Sequence, residues 1–259
     1  IHSERISNAG ICVEHLLERD DLLAVQSGAR SLSVTPFIYM LGVFKIWLAR
    51  LTLTEDVVVG TPVANRRTRD TQRLIGFFME TLPLRSRVPL DRSVQDIIAE
   101  INQNTMQAFD RRDVPFQHIV QALGLHGRSD QNPLFEVFFN HIAIPLHSES
   151  DSIGTLSFSD QEIDNRTAKF DLTCYVFEDA EHARIVFNAR RSKFSAETVQ
   201  WFLHQFISLL SASPHHLDQP AGSLPIDHDE KPCKDPRART SLGCPRIGNN
   251  HRSHSASCI

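Results

Sequence analysis

The stretch "TPFIYMLGVFKIWLARL", residues 35 to 51, constrains the fold more than any other. Thr35 can accept from the free amides of a first helical turn, and Pro36 suits that turn because its missing N–H costs nothing there. The rest of the segment is apolar on nearly every side. A helix of that kind must be enclosed by other elements, so the spacing predicts a buried helix within a layered domain. It is too short for a membrane span, which needs about 18 or more apolar residues.

The surrounding chain has the material for such layers. Hydrophobic residues make up 41% of the 259 residues, enough to exclude a chain disordered throughout. A second helix is expected from Ser93 to about Phe109, where Ser93 and Asp96 form a capping box and Val94, Ile97, Ile98, Ile101 and Ala108 share one face. A short helix, "PFQHIVQAL", should follow the turn at Asp113, with Asp113 accepting from its first amides. A last amphipathic helix begins at Ser195 and buries Val199, Phe202, Phe206 and Leu209. Strands are expected in "DVVVG", ending at Gly60, and in "LFEVFFNHI", "TLSFSDQEI", "KFDLTCYVFED" and "ARIVFNAR". The class is therefore α/β, a mixed β-sheet packed with helices. Residues 1–226 form the domain, and 227–259, poor in apolar periodicity, are read as a disordered tail.

A formal charge of −4 offers no bulk attraction for nucleic acid or an anionic membrane, so neither is expected as a partner. Cys12, Cys174, Cys233, Cys244 and Cys258 are odd in number, widely spaced and without a CxxC pair. That pattern fits a reduced compartment, and a cytoplasmic location is expected. No signal peptide is visible. The chain opens without Met and is read as starting inside a longer polypeptide. The tail's Cys and His residues match no zinc spacing, and no metal site is expected. His118 and His141 are read as isolated histidines.

Four segments carry a resemblance when taken together: "DVVVGTPVANR", "LIGFFMETLPLR", "RRDVPFQHIV" and "NPLFEVFFN". In this order and at these separations they resemble successive motifs of the C-terminal half of nonribosomal peptide synthetase condensation domains. "AKFDLTCYVFED", the closing helix and "GSLPI" extend the likeness to Ile226. The resemblance implies one lobe of a chloramphenicol acetyltransferase-like fold, in which two lobes enclose a tunnel. It also implies amide formation between acyl or peptidyl and aminoacyl thioesters. The expected partners are the N-terminal lobe, upstream and downstream peptidyl carrier domains and an adenylation domain. No cofactor is expected to bind this chain directly; 4'-phosphopantetheine is carried by the carrier domains.

The family's catalytic motif, HHxxxDG, lies in its N-terminal lobe and is not found among these residues. His215 and His216 imitate its start, but Pro220 and Ala221 stand where Asp and Gly belong, and Asp218 comes too early. They are read as exposed linker residues, so no catalytic residue is assigned and the chain alone is expected to be inactive. Carried over motif by motif, the tunnel-side candidates are Gly60, Thr61, Pro62, Arg66, Gly76, Phe77, Phe78, Glu80, Thr81 and Arg85. Arg66 could reach a carboxylate or phosphate, whereas Arg85 is expected in a structural ion pair. Glu80 replaces the family's usual Asn, exchanging a neutral donor and acceptor for an acceptor. Asp113, Pro115, Phe116, Asn132, Pro133, Leu134 and Phe135 are read as structural, with the apolar face after Asn132 lacking a partner unless the other lobe covers it. The alternatives are a non-catalytic carrier-binding fragment, a truncated remnant, and an epimerising or cyclising relative.

Overall fold

The computed structural model describes residues 8–64, 66, 69–125, 132–143, 152–153, 156–157, 166–179 and 181–226. In chain order the elements are β1 (Gly10–Leu17), α1 (Arg19–Ser31), α2 (Pro36–Thr52), β2 (Asp56–Ala64) and α3 (Arg69–Gln72). Then come β3 (Met79–Arg87), α4 (Val94–Asp110), α5 (Phe116–Ala122), β4 (Val137–Ala143), β5 (Ser152–Ile153) and β6 (Leu156–Ser157). β7 (Leu172–Glu178), β8 (Ala183–Arg190) and α6 (Ala196–Ala212) follow, and two short 3-10 turns, Ser213–His215 and Ala221–Ser223, come after them.

Six strands form one mixed sheet in the order β1-β8-β7-β4-β2-β3, while β5 and β6 pair separately. β4 runs parallel to both β2 and β7, and the remaining pairs are antiparallel. α1, α2, α4 and α6 gather on one face around a shared core.

At its centre lies α2, started by Thr35, whose Oγ1 accepts from the amide of Ile38. Phe44 packs against Trp47, Phe139, Phe187 and Phe206, joining α2 to β4, β8 and α6. Rings buried in this way are each worth about 3–5 kcal/mol against truncation. Lys45 is also fully buried, and its Nζ donates to the Leu84 carbonyl and the Ser86 hydroxyl of β3. Ser93 and Ser195 cap α4 and α6 through the amides of Asp96 and Thr198, where the side chains at those sequence positions predict the caps.

Three expectations need correction. β2 does not end at Gly60; it runs to Ala64, because β3 pairs with it along its length, from Asp56↔Arg87 to Ala64↔Met79. Pro62 is accommodated because β4 meets β2 only at Gly60↔Phe138. The face after Asn132 does have a partner: Leu134, Phe135, Phe138 and Phe170 form a second core, covered by Phe116, Ile119 and Val120 of α5. The residue flanking α5 is Pro115, which has no capping side chain, so Asp113 lies in the preceding turn rather than at the cap. Of "TLSFSDQEI", only Leu156 and Ser157 are described, as β6; the tail expected at 227–259 lies outside the described residues.

Candidate functional site

The β2–β3 pair positions most of the tunnel-side candidates. Strand alternation puts Thr61 and Val63 on the helix-covered face and Gly60 and Pro62 on the other. Thr61 is buried, opposite Leu82; Thr81 is half-buried, opposite Pro62. Glu80 is exposed at the start of β3, opposite Val63. Arg85 makes the expected ion pair, with Nε and Nη2 each 2.9 Å from the Asp56 carboxylate. Both groups are exposed, so the pair contributes about 0–1 kcal/mol.

Gly60 belongs to the second core. A β-carbon at this position would lie 2.2 Å from Cε2 of Phe135. Phe135 in turn packs on Phe116, Phe138 and Phe170. Asn132 sets this ring's approach: its Oδ1 accepts from the amides of Leu134 and Phe135, forming a turn over the half-buried Pro133. Three of the four sequence motifs thus meet in one aromatic cluster on the sheet face opposite α2.

Arg66 organises the segment between β2 and β3. Its guanidinium donates to the carbonyls of Thr71, Leu74 and Gly76 and lies 4.3 Å from the Phe78 ring centroid. Those contacts hold the loop in a shape that turns apolar side chains outward. Ile75 is 105% exposed and Phe77 86%, with Leu74 and Met79 about half as much. Phe77 is therefore not a core residue, although Phe78 is half-buried.

Two polar clusters escaped the sequence reading. At the starts of β4 and β7, Lys193 Nζ lies 2.5 Å from Asp171 Oδ2 and 3.8 Å from Glu136 Oε1. Arg190 Nε is 3.4 Å from Asp171 Oδ1, and its Nη2 donates to the Lys169 carbonyl. Burial, then the Asp171 charge, pushes the Glu136 carboxyl up to about 7, against the partial relief of Lys193 and Arg190.

At the opposite end, His141 Nε2 sits 2.6 Å from Glu178 Oε2, and Gln26 Nε2 donates to Glu178 Oε1 at 2.8 Å. His141 is thus not isolated. Burial alone would raise the Glu178 carboxyl, but the hydrogen bonds from His141 and Gln26 outweigh it and hold it below its ordinary value. Residues 37 and 152 positions apart in the chain leave no local signature of this kind.

The 215–216 pair has no such support. His215 is exposed, while His216 is partly buried and its Nδ1–H donates to the Ala212 carbonyl at the end of α6. Among the described residues, no group of three or more His, Cys, Asp or Glu side chains could hold a metal ion. No single helix among them is long and apolar enough to cross a membrane.

A mixed six-stranded sheet with α1, α2, α4 and α6 on one face and α5 on the other has the chloramphenicol acetyltransferase-like fold of solved condensation domains. The condensation-domain family model matches residues 12–232, and the chain belongs to that family. Bacitracin synthase 1 of Bacillus licheniformis is 30% identical over 215 residues, 82% of this chain and 4% of that protein. Tyrocidine synthase 3 of Brevibacillus parabrevis is 30% identical over 196 residues, 76% of this chain and 3% of that protein. The condensation domain of a monacolin K polyketide synthase superposes with a TM-score of 0.74 at 21% identity, covering 85% of this chain and 50% of that one. A four-domain nonribosomal peptide synthetase with AMP and glycine bound superposes at 0.78 and 17% identity, covering 86% of this chain and 18% of that one. The chain therefore spans half of one solved condensation domain and a small fraction of the synthases it matches.

Proposed function

We propose that this chain supplies the C-terminal lobe of a condensation domain, the wall that faces an HHxxxDG-bearing N-terminal lobe across the substrate tunnel. The observation that carries this reading is the loop tied down by Arg66, which holds Leu74, Ile75 and Phe77 out of the core beside the exposed Met79 that begins β3. An ordered apolar ridge of this size is costly in water unless another surface covers it. The half-length match to a solved condensation domain supports the same reading.

In the assembled domain, carrier domains would present both substrates on 4'-phosphopantetheine, one of them loaded by an adenylation domain. The downstream amine attacks the upstream thioester carbonyl. The C–N bond forms as the C–S bond breaks, the upstream thiol leaves, and a histidine of the other lobe handles the amine's proton. This chain's part is alignment, which can supply a large share of such a rate. Gly60, Pro62, Asn132 and Phe135 hold the scaffold under the loop. Phe77, Glu80 and Thr81 are its tunnel-side residues.

The test mixes the chain with a separately produced HHxxxDG lobe and two loaded carrier domains, with dipeptidyl thioester read by mass spectrometry. Product formed only when both lobes are present supports the proposal. Product from this chain alone overturns it. Carrier binding without turnover in the full mixture replaces it with the scaffold reading.

A further inference from the structure

The parallel strands β2, β4 and β7 all end on the side from which the Arg66 loop departs. Ligands of open α/β sheets gather at that carboxyl end. There the helix-covered face carries His141 on β4 and Glu178 on β7, with Gln26 of α1 behind them. Phe37 of α2 flanks the imidazole at 6.4 Å between ring centroids and stacks on Phe109 of α4. The His141 and Glu178 side chains keep 10% and 11% of their exposure, so the dyad is shielded without being sealed.

We infer that His141 is a substrate-positioning residue whose Nδ1 accepts a hydrogen bond from an N–H of the incoming aminoacyl thioester or its pantetheine arm. In the neutral ring, a carboxylate 2.6 Å from Nε2 selects the tautomer with its proton on Nε2, which leaves the Nδ1 lone pair available. Nδ1 has no hydrogen-bond partner among the described residues. Gln26 fixes the carboxylate by occupying its second oxygen, so the imidazole is held from behind as an oriented base is held in acyl-transfer enzymes. Structural duty alone would be met by the Nε2 bond. An acceptor held by the buried Glu178 carboxylate and the half-buried Gln26 amide at the carboxyl end of the sheet goes beyond it.

The inference rests on the condensation reading, and two experiments separate their failures. In the first, the isolated chain is titrated with an aminoacyl N-acetylcysteamine thioester, and long-range 1H–15N spectra report the His141 ring. An Nε2–H tautomer whose Nδ1 resonance moves on addition is expected. A ring protonated on Nδ1, or one unmoved at saturating thioester, overturns the inference. In the second, the two-lobe assembly is assayed with His141→Phe, His141→Asn and Glu178→Gln. Loss of about tenfold in kcat/KM for the acceptor substrate is expected for His141→Phe, one hydrogen bond's worth, with partial recovery in His141→Asn and no change for the donor substrate. Equal loss for both substrates makes the residue merely structural. If the unmutated assembly forms no product, the condensation reading falls, and the ring titration alone decides the dyad.

Discussion

The ring of Phe135 lies so close over Gly60 that a β-carbon on the glycine would stand 2.2 Å from Cε2. β2 and the segment entering β4 approach each other only because one of them has no side chain. This contact anchors the second core to β2.

Gly60→Ala should therefore cost about 1–3 kcal/mol, the usual penalty of forcing extra volume into a packed site. Urea denaturation measures it. Phe135→Leu in the same chain should recover part of the loss, giving a coupling energy in the double-mutant cycle. Independent, additive effects would show that the two residues do not meet.

Arg66 binds carbonyls of its own loop, so its loss should be local. Arg66→Met should speed amide exchange across residues 71–78 and tryptic cleavage at Arg69 and Arg73. The global unfolding free energy should change by less than about 0.5 kcal/mol, as for surface positions generally. A large global loss would place the loop within the cooperative core.

Glu136 makes stability depend on pH. Its carboxyl is raised from 4.5 to about 7 on folding, so between those values the folded state binds more protons than the unfolded chain. Stability must then fall as pH rises through this window, and the penalty is complete above it. Unfolding midpoints taken from about pH 5 to about pH 8 should show this contribution, and Glu136→Gln should flatten it. An unchanged slope in the variant would assign the pH response elsewhere.

Glu80 is exposed beside the apolar loop, opposite Val63. Glu80→Asn should leave thermal stability within about 0.5 kcal/mol of the parent. In the two-lobe assay it should alter turnover of the acceptor substrate. Identical kinetics would remove Glu80 from the tunnel wall.

Much of this architecture is legible locally. Thr35, Ser93 and Ser195 act within three residues of themselves, and Asn132 within the same range, so their roles follow from adjacent sequence. Other features were obscured by competing local signals. Gly60 reads as a strand end because glycine usually punctuates, yet it continues the strand to admit a ring. Asp113 reads as a cap, but Pro115 sets where α5 begins. β1 and α1 carry weaker signals: β1 exposes Leu16, and the N-cap of α1, Glu18, makes no side-chain bond.

The sequence by itself determined the buried helix begun by Thr35, the serine N-caps at Ser93 and Ser195, the run of motifs and the family. Backbone propensity, capping and side-chain periodicity act over a few residues, and family motifs are linear strings. Only the tertiary structure decided that Phe135 fills the space above Gly60, that Lys45 reaches β3, and that Glu178 and Gln26 hold His141. Burial and electrostatic pairing depend on distance in space, and residues far apart in the chain become neighbours only when the sheet and its helices close around them.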